Sequence, residues 1–210
     1  MDADAHLRQG LTTLGIELAP TAERSLLQYL SLLTKWNRVY NLTAIREPSR
    51  VVSHHLLDSL SVLPHLSGVS LADVGAGAGL PGVPLAIARS DWRIALVESN
   101  HKKAAFLRQA VIELKLQNVQ VIIDRVEHWG PPNGFDVVIS RAFSDLPGFV
   151  EAAQHLCSSS GVLAAMKGVY PDEELAQLPP DWHLERVVPL EVPGVRAARH
   201  LVLLRRDHTA

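Results

Sequence analysis

The sequence predicts an α/β protein: a mostly parallel, seven-stranded sheet, ended by a C-terminal antiparallel hairpin and preceded by a helical extension. Three observations carry this prediction. From Ser70 onward, short apolar runs alternate with helical patterns, which is how strands buried on both faces and their crossover helices read. The first run, Leu71-Ala72-Asp73-Val74, breaks into the glycine-rich turn Gly75-Ala76-Gly77-Ala78-Gly79-Leu80-Pro81-Gly82. The last two runs are joined by a Pro-Gly-containing loop too short for a crossover helix, so they must pair antiparallel.

The elements follow in order. Residues 1–67 hold no convincing strand. Leu26, Leu27, Leu30 and Leu33 recur at helical spacing, with Thr21 as a candidate cap that lacks the acidic partner of a capping box. Trp36-Asn37-Arg38-Val39-Tyr40-Asn41-Leu42-Thr43 then offers turn-forming asparagines and two aromatics. Pro48 opens a further helix through His54, Leu57, Leu60 and Leu63, and Pro64 and Gly68 mark its end. This extension, 1–67, is too thin to stand alone and must lay its leucines on the domain at 68–210. Within that domain the strands are the run before Gly75, then Ile94–Val97, Val119–Ile123, Phe135–Ser140, Gly161–Lys167, Trp182–Val192 and His200–Leu204. A helix from His101 to Lys115 carries the stripe Ala105, Leu107, Val111 and Leu114; another runs to Leu156, and Ser158-Ser159-Ser160-Gly161 reads as a helix-to-strand turn.

The glycine turn allows the backbone to bend sharply and to approach a ligand with no Cβ in the way. Gly77, Gly79 and Gly82 fit G-x-G-x-x-G, the dinucleotide fingerprint. Gly75, Gly77 and Gly79 behind Asp73 fit the G-x-G-x-G loop of S-adenosylmethionine-dependent methyltransferases. Spacing alone leaves both open, beside the plainer reading of a tight turn without a ligand. Pro81 suits the first turn of the following helix, yet Pro81 and Pro84 remove amide donors that a pyrophosphate would use. Glu98 closes the next apolar run, where an acid can accept hydrogen bonds from the ribose hydroxyls of either cofactor. The hairpin ending favours a methyltransferase sheet over a dehydrogenase, which would continue into a further mononucleotide half or a substrate domain.

Composition removes several classes. With 47% hydrophobic residues in 210 the chain has ample material for a core, and its net charge of -2 lacks the overall excess of a non-specific nucleic-acid binder. The single cysteine, Cys157, forms no internal disulfide and, in an apolar helical pattern, reads as a small core residue. No membrane span or signal peptide is visible, so a cytoplasmic protein is expected. Nothing demands more than a monomer. The ten histidines include the pair His54-His55, but no zinc signature, nucleophile elbow or Walker lysine accompanies them, and no metal is expected. Asp58, four after His54, reads as a helix-surface hydrogen-bond partner.

Ligands in open α/β sheets gather outside the carboxyl ends of the strands. Candidate site residues are therefore Gly75, Glu98, the segment Asp124-Arg125-Val126-Glu127, Arg141 and Lys167. An adenine ring would lie in an apolar slot near Val126 and Glu127, although Glu127 also reads as a solvated loop acid. Arg141, just after an apolar strand, faces a ligand carboxylate or a nucleobase more usefully than solvent. Lys167 holds the matching place on the next strand, or is a snorkelling strand-end lysine. Lys35, Arg38, Arg46 and Arg50 cluster around Trp36 and Tyr40, and Arg196, Arg199, His200, Arg205 and Arg206 crowd the C-terminus. Such cations and aromatics suit phosphate contact and base stacking, or form a solvated surface.

Several of these stretches together resemble one family. They are Trp36 to Ile45, Asp73 to Leu85, Phe106-Leu107-Arg108-Gln109, Arg125-Val126-Glu127, Ile139-Ser140-Arg141-Ala142-Phe143 and Lys167-Gly168. In this order they are similar to the bacterial small-subunit (16S) ribosomal RNA guanine-N7 methyltransferases, also called glucose-inhibited division protein B. The likeness runs from about residue 30 to the end; alanines at 76 and 78 replace other small residues. The resemblance implies a class I, Rossmann-like methyltransferase moving a methyl from S-adenosylmethionine to N7 of one guanosine in 16S rRNA. It implies cofactor contacts at Gly75, Leu80, Val126, Glu127 and Arg141, with Gly77 and Gly79 completing the loop and Glu98 in the ribose position. Arg141 and Lys167 are the candidate catalytic residues. The rival readings are a nicotinamide-dependent oxidoreductase built on Gly77, Gly79 and Gly82, and an RNA-binding module that keeps an adenosine pocket without turnover.

Overall fold

The computed structural model describes residues 2–141 and 143–207. Seven strands, β1 (Ser70–Val74), β2 (Arg93–Val97), β3 (Val119–Ile122), β4 (Phe135–Ser140), β5 (Cys157–Lys167), β6 (Trp182–Pro189) and β7 (His200–Arg206), form one sheet in the order β3-β2-β1-β4-β5-β7-β6. Strands β1 to β5 pair in parallel, and β7 runs antiparallel to both β5 and β6. The chain steps from β1 outward to β3 and then returns to place β4 on the other side of β1. That reversal is the topological switch point, where a crevice opens outside the carboxyl ends of β1 and β4.

The helices are α1 (Ala3–Leu14), α2 (Pro20–Tyr40), α3 (48–60), α4 (Gly82–Ala88), α5 (His101–Glu113), α6 (Leu146–Ala153) and α7 (Asp172–Leu175). Side chains alternate between the sheet faces with the two-residue period of a strand. Leu71, Ile94 and Leu96 enter one core with Val83, Phe106 and Leu107; Ala72, Val74, Ala95 and Val97 enter the other with Phe149 and Val150. Leu26, Tyr29, Leu30 and Leu33 of α2 and Leu56, Leu57 and Leu60 of α3 belong to the first core. The extension thus buries its leucines on the sheet's own helices, at about 25 cal/mol per Å² of apolar surface removed from water.

Helix α3 starts as an α-helix (Pro48–Val51), widens to a π-turn over Val52–Leu57 and closes as an α-helix (Asp58–Leu60). Every residue from Val52 to Leu60 is buried except His54, which is partly so. A helix buried nearly all round is a core element. Asp58 is therefore not a surface hydrogen-bond partner: it is 2% exposed.

Other local readings shift. Helix α2 begins at Pro20 with Ala19 as N-cap, so Thr21 lies inside it, and it continues through Trp36–Tyr40 to Asn41, whose φ of 50° ends it. Ser158, Ser159 and Ser160 are not a turn. They belong to β5, where Cys157 pairs beside Phe135; polar residues are tolerated at this strand's start because Ser159 and Ser160 are exposed. Cys157 is consequently a strand residue, and burial pushes its thiol up to about 12. In α5 the packed residues are Ala104, Phe106, Leu107 and Ala110, whereas Ala105 faces solvent.

Candidate active site

The glycine turn connects β1 to α4 and is pinned from beneath. The N–H groups of Gly75 and Ala76 both donate to the Val97 carbonyl, at 3.0 and 3.1 Å. Glu98 accepts from the N–H of Gly77 at 2.8 Å and from that of Asn100 at 2.7 Å, one bond to each carboxylate oxygen. Asp73 accepts from the N–H of Gly82 at 2.8 Å. The Tyr29 hydroxyl of α2 donates to the Ala78 carbonyl, so the extension also holds the turn. Gly75, Gly77 and Gly79 have φ of 69°, 57° and 83°, in the left-handed region that glycine enters without a Cβ penalty. Pro81 precedes α4 by one residue as its N-cap, a place where its missing N–H leaves no helical bond unmade.

A cavity of about 500 Å³ opens beside this turn at the carboxyl ends of the parallel strands, lined by Gly75, Val97, Ser99, Asp124, Arg125, Val126, Glu127 and Phe143. Small-molecule sites run to about 300–1,000 Å³. Five residues singled out from the sequence, Gly75, Asp124, Arg125, Val126 and Glu127, meet in its wall. Gly77, Gly79 and Leu80 lie in the turn behind Gly75 rather than in the wall. Glu98 is 6% exposed, and its first task is to hold the turn. Each carboxylate oxygen has a second lone pair and can accept one further hydrogen bond.

Asp73 is the least comfortable group in the site. It is fully buried, and Oδ1 has no hydrogen-bond partner among the described residues. Burial raises its carboxyl to about 7, although the Gly82 N–H and the Arg141 charge pull it back. A buried carboxylate oxygen without a donor favours a cationic ligand group nearby.

Arg141 follows β4 on the other side of the switch point. Its Nη1 lies 3.0 Å from Asp58 Oδ2, and the second oxygen of Asp58 accepts from Arg199 Nε at 2.9 Å. Ala142, within the motif that contains Arg141, lies outside the described residues. Lys167 does not reach the cavity wall: its ammonium lies 2.8 Å from Glu174 and 2.7 Å from the Ser144 carbonyl. Glu174 also accepts the Leu146 N–H at 2.7 Å, so Lys167 braces the loop that leads from Arg141 into α6.

The aromatic and basic stretch divides. Trp36 turns inward, with ring centroids 5.7 Å from Phe106 and 5.2 Å from Tyr40. Tyr40 is 43% exposed. Asn37 is buried and accepts the Thr43 N–H at 2.9 Å, closing the end of α2. His55 is buried near Thr43, and burial together with the Arg141 charge pushes it down to about 4, so it stays neutral at physiological pH. At the C-terminus Arg205 pairs with Glu185 and Arg206 with Asp181, at 2.7 and 3.0 Å. Those cations are compensated and form no uniform basic patch.

Sequence reasoning missed Asp58, Tyr29 and Ser99; Phe143 stands at the strand end in the Ser140-Arg141-Ala142-Phe143 motif but received no role of its own. Only Asp58 carried a signal, as the lone acid inside the apolar run from Val52 to Leu63.

Among the described residues no helix is long and apolar enough to cross a membrane, and no group of three or more His, Cys, Asp or Glu residues is placed to hold a metal ion.

The site now meets its relatives. Residues 22–202 match the family model "rRNA small subunit methyltransferase G". The chain is 55% identical to a ribosomal RNA small subunit methyltransferase G of Nitrosospira multiformis, over 98% of this chain and 99% of that protein. It is 52% identical to the protein of the same description from Laribacter hongkongensis, over 97% and 99%. Among solved structures it superposes on a SAM-dependent methyltransferase from Aquifex aeolicus with a TM-score of 0.59 and 20% identity, over 82% of this chain and 97% of that one. That likeness gives the fold, a class I methyltransferase sheet. The turn at Gly75–Gly82, the acids beneath it and the cavity at the switch point accordingly belong to a member of the rRNA small subunit methyltransferase G (GidB) family.

Proposed function

We propose that this protein transfers a methyl group from S-adenosylmethionine to N7 of one guanosine in 16S rRNA. The observation that carries this reading is the pinned glycine turn in the wall of a 500 Å³ cavity, with the unpartnered Asp73 oxygen beneath it. These residues fit the methyl donor, which is the donor of this family. Val126 and Phe143 would flank the adenine, Gly75 would let the adenosyl group lie against the backbone, and Glu98 and Glu127 would serve the ribose. Asp73 would answer the ammonium of the amino-acid end, and Arg141 its carboxylate.

When bound, S-adenosylmethionine supplies an electrophilic methyl on a sulfonium. The protein's own work is placement. Guanine N7 carries an in-plane lone pair and needs no deprotonation, so no general base is required of this site, and neutral His55 need not act. Holding N7 in line with the methyl can supply roughly 7–11 kcal/mol of the barrier. Lys167 contributes by fixing the loop at 143–146 through Ser144 and Glu174. Because side chains cannot enter the deep, narrow major groove of A-form RNA, the guanosine must be presented unpaired. Lys35, Arg38 and Arg46 would meet backbone phosphates, and exposed Tyr40 an unstacked base. The protein acts as a monomer in the cytoplasm, with 1–67 as the helical extension and 68–210 as the methyltransferase domain.

Calorimetry with S-adenosylhomocysteine and, separately, NAD⁺ and NADH tests the pocket. One site for S-adenosylhomocysteine and none for the nicotinamides is expected; the reverse would support an oxidoreductase. The same titration reads Asp73. Its carboxyl is raised to about 7, so at pH 6.5 about three quarters of the free protein carries that proton. An arriving ammonium favours the carboxylate and expels it. Binding at pH 6.5 should therefore release a large fraction of a proton and be more exothermic in Tris than in phosphate. The difference should vanish at pH 8.5 and in Asp73→Asn. A buffer-independent enthalpy at pH 6.5 would place the ammonium elsewhere.

A further inference from the structure

Three acids are buried among the described residues: Asp58, Asp73 and Glu98. Asp73 and Glu98 hold the glycine turn. Asp58 is different, since it lies on α3 of the extension and gives both of its oxygens to arginines distant in sequence. Oδ2 meets Nη1 of Arg141, 83 residues on, at 3.0 Å, and Oδ1 meets Nε of Arg199, 141 residues on, at 2.9 Å. The carboxylate thereby ties the extension to the end of β4 and to the loop before β7.

A buried ion pair gives little net stability over apolar residues of the same volume, whereas it does fix one geometry. Arginine has a long, rotamer-rich side chain that must be aimed to be useful. Among the described residues the hydrogen bonds of Arg141 all leave from Nη1, to Asp58 and, more weakly at 3.5 Å, to the His54 carbonyl. Its Nε and Nη2 keep their donors, on a side chain 32% exposed. The charge of Arg141 acts on Asp73 and His55, which places it beside the turn on the side of the π-turn.

We infer that Asp58 is a positioning residue for methyl transfer: it grips one edge of the Arg141 guanidinium and aims the other edge at the amino-acid end of the methyl donor, with Arg199 steadying the carboxylate from behind. The inference rests on the reading of the site given above. It makes the helical extension part of the active site, because the 68–210 domain alone leaves Arg141 unaimed.

The test is a double-mutant cycle on the full-length protein, read by calorimetric affinity for S-adenosylhomocysteine and by kcat and KM for methyl transfer. Losing a charge-assisted hydrogen bond corresponds to about ten- to a hundredfold in affinity. Asp58→Asn and Arg141→Ala should each weaken S-adenosylhomocysteine by about that factor, and the double variant should be no weaker than Arg141→Ala alone. Asp58→Glu, which keeps the charge but shifts it by one methylene, should recover part of the affinity. If Asp58→Asn fails to fold, the cycle is run with Asp58→Glu, which should weaken binding several-fold in the wild-type background and have no effect beside Arg141→Ala. Wild-type affinity in the Asp58 variants, or losses that multiply with Arg141→Ala, would overturn the inference. Failure of the wild-type protein to bind S-adenosylhomocysteine would instead overturn the reading of the site.

Discussion

Gly82→Ala is expected to melt about 10 °C below the wild type and to lose measurable affinity for S-adenosylhomocysteine. A Cβ at residue 82 would stand 2.3 Å from Leu96 Cδ2, 2.7 Å from Asp73 Oδ2 and 3.0 Å from Asp73 Cβ. Neither neighbour has room to retreat, since Leu96 and Asp73 are both fully buried in adjacent strands. Overpacking of this kind costs about 1–3 kcal/mol. Pushing Asp73 aside also breaks its bond to the Gly82 N–H, about 1.5–3 kcal/mol for a bond to a charged group. Together these give roughly 2.5–6 kcal/mol, at about 2–4 °C per kcal/mol for a protein of this size. Gly77→Ala is the contrasting case. Nothing but the Gly75 carbonyl, at 3.7 Å, approaches a Cβ there, and only the φ of 57° resists it. That strain is about 1–2 kcal/mol, so Gly77→Ala should melt only a few degrees lower. Equal melting temperatures for the two variants, by calorimetry, would contradict the close packing of the turn on Asp73.

Gly75→Asp should abolish binding of S-adenosylhomocysteine while leaving the protein folded. Gly75 lines the cavity with φ of 69°, a conformation that aspartate enters at less cost than most residues. The backbone conformation thus admits the change, but a carboxylate would occupy the wall where the ligand would touch backbone, and affinity should fall more than about a hundredfold, or about 2.7 kcal/mol. Arg141→Ala acts at the other end of the site. It removes the donors proposed to face the ligand and leaves the buried Asp58 with Arg199 alone, so methyl transfer should fall about ten- to a hundredfold. Normal transfer rates in both variants would reject this site altogether.

Which parts of this were legible in the sequence follows from the range of the forces involved. The glycine turn, the apolar strands and the acid at Glu98 are local patterns, each set by backbone conformation or by burial on both faces of a sheet, and the structure has them in the expected order. The hairpin was legible because a short loop admits only antiparallel pairing. The errors have the opposite character. Ser158–Ser160 look like a turn because the pairing that makes them part of β5, which begins with Cys157 beside Phe135 of β4, is not visible in the local sequence. Asp58 looks like a surface acid because its two arginines lie 83 and 141 residues away. Lys167 reads from the sequence either as ligand-facing or as a snorkelling strand-end lysine, and only the closed fold brings Glu174 and the Ser144 carbonyl to its ammonium. Local periodicity reports which face is apolar; it does not report which charges the closed fold will set against each other.

On the proposed reading this protein methylates one guanosine of small-subunit rRNA at N7. The transfer is tested most directly by incubating the purified protein with tritiated S-adenosylmethionine and small ribosomal subunits from a strain lacking the activity, then digesting the 16S rRNA and identifying the labelled nucleoside by mass spectrometry. Close to one methyl per particle is expected, all of it 7-methylguanosine from a single unpaired position. Label on another nucleoside or another guanine atom, or no transfer to any form of the rRNA by protein that binds the donor, would contradict that reading.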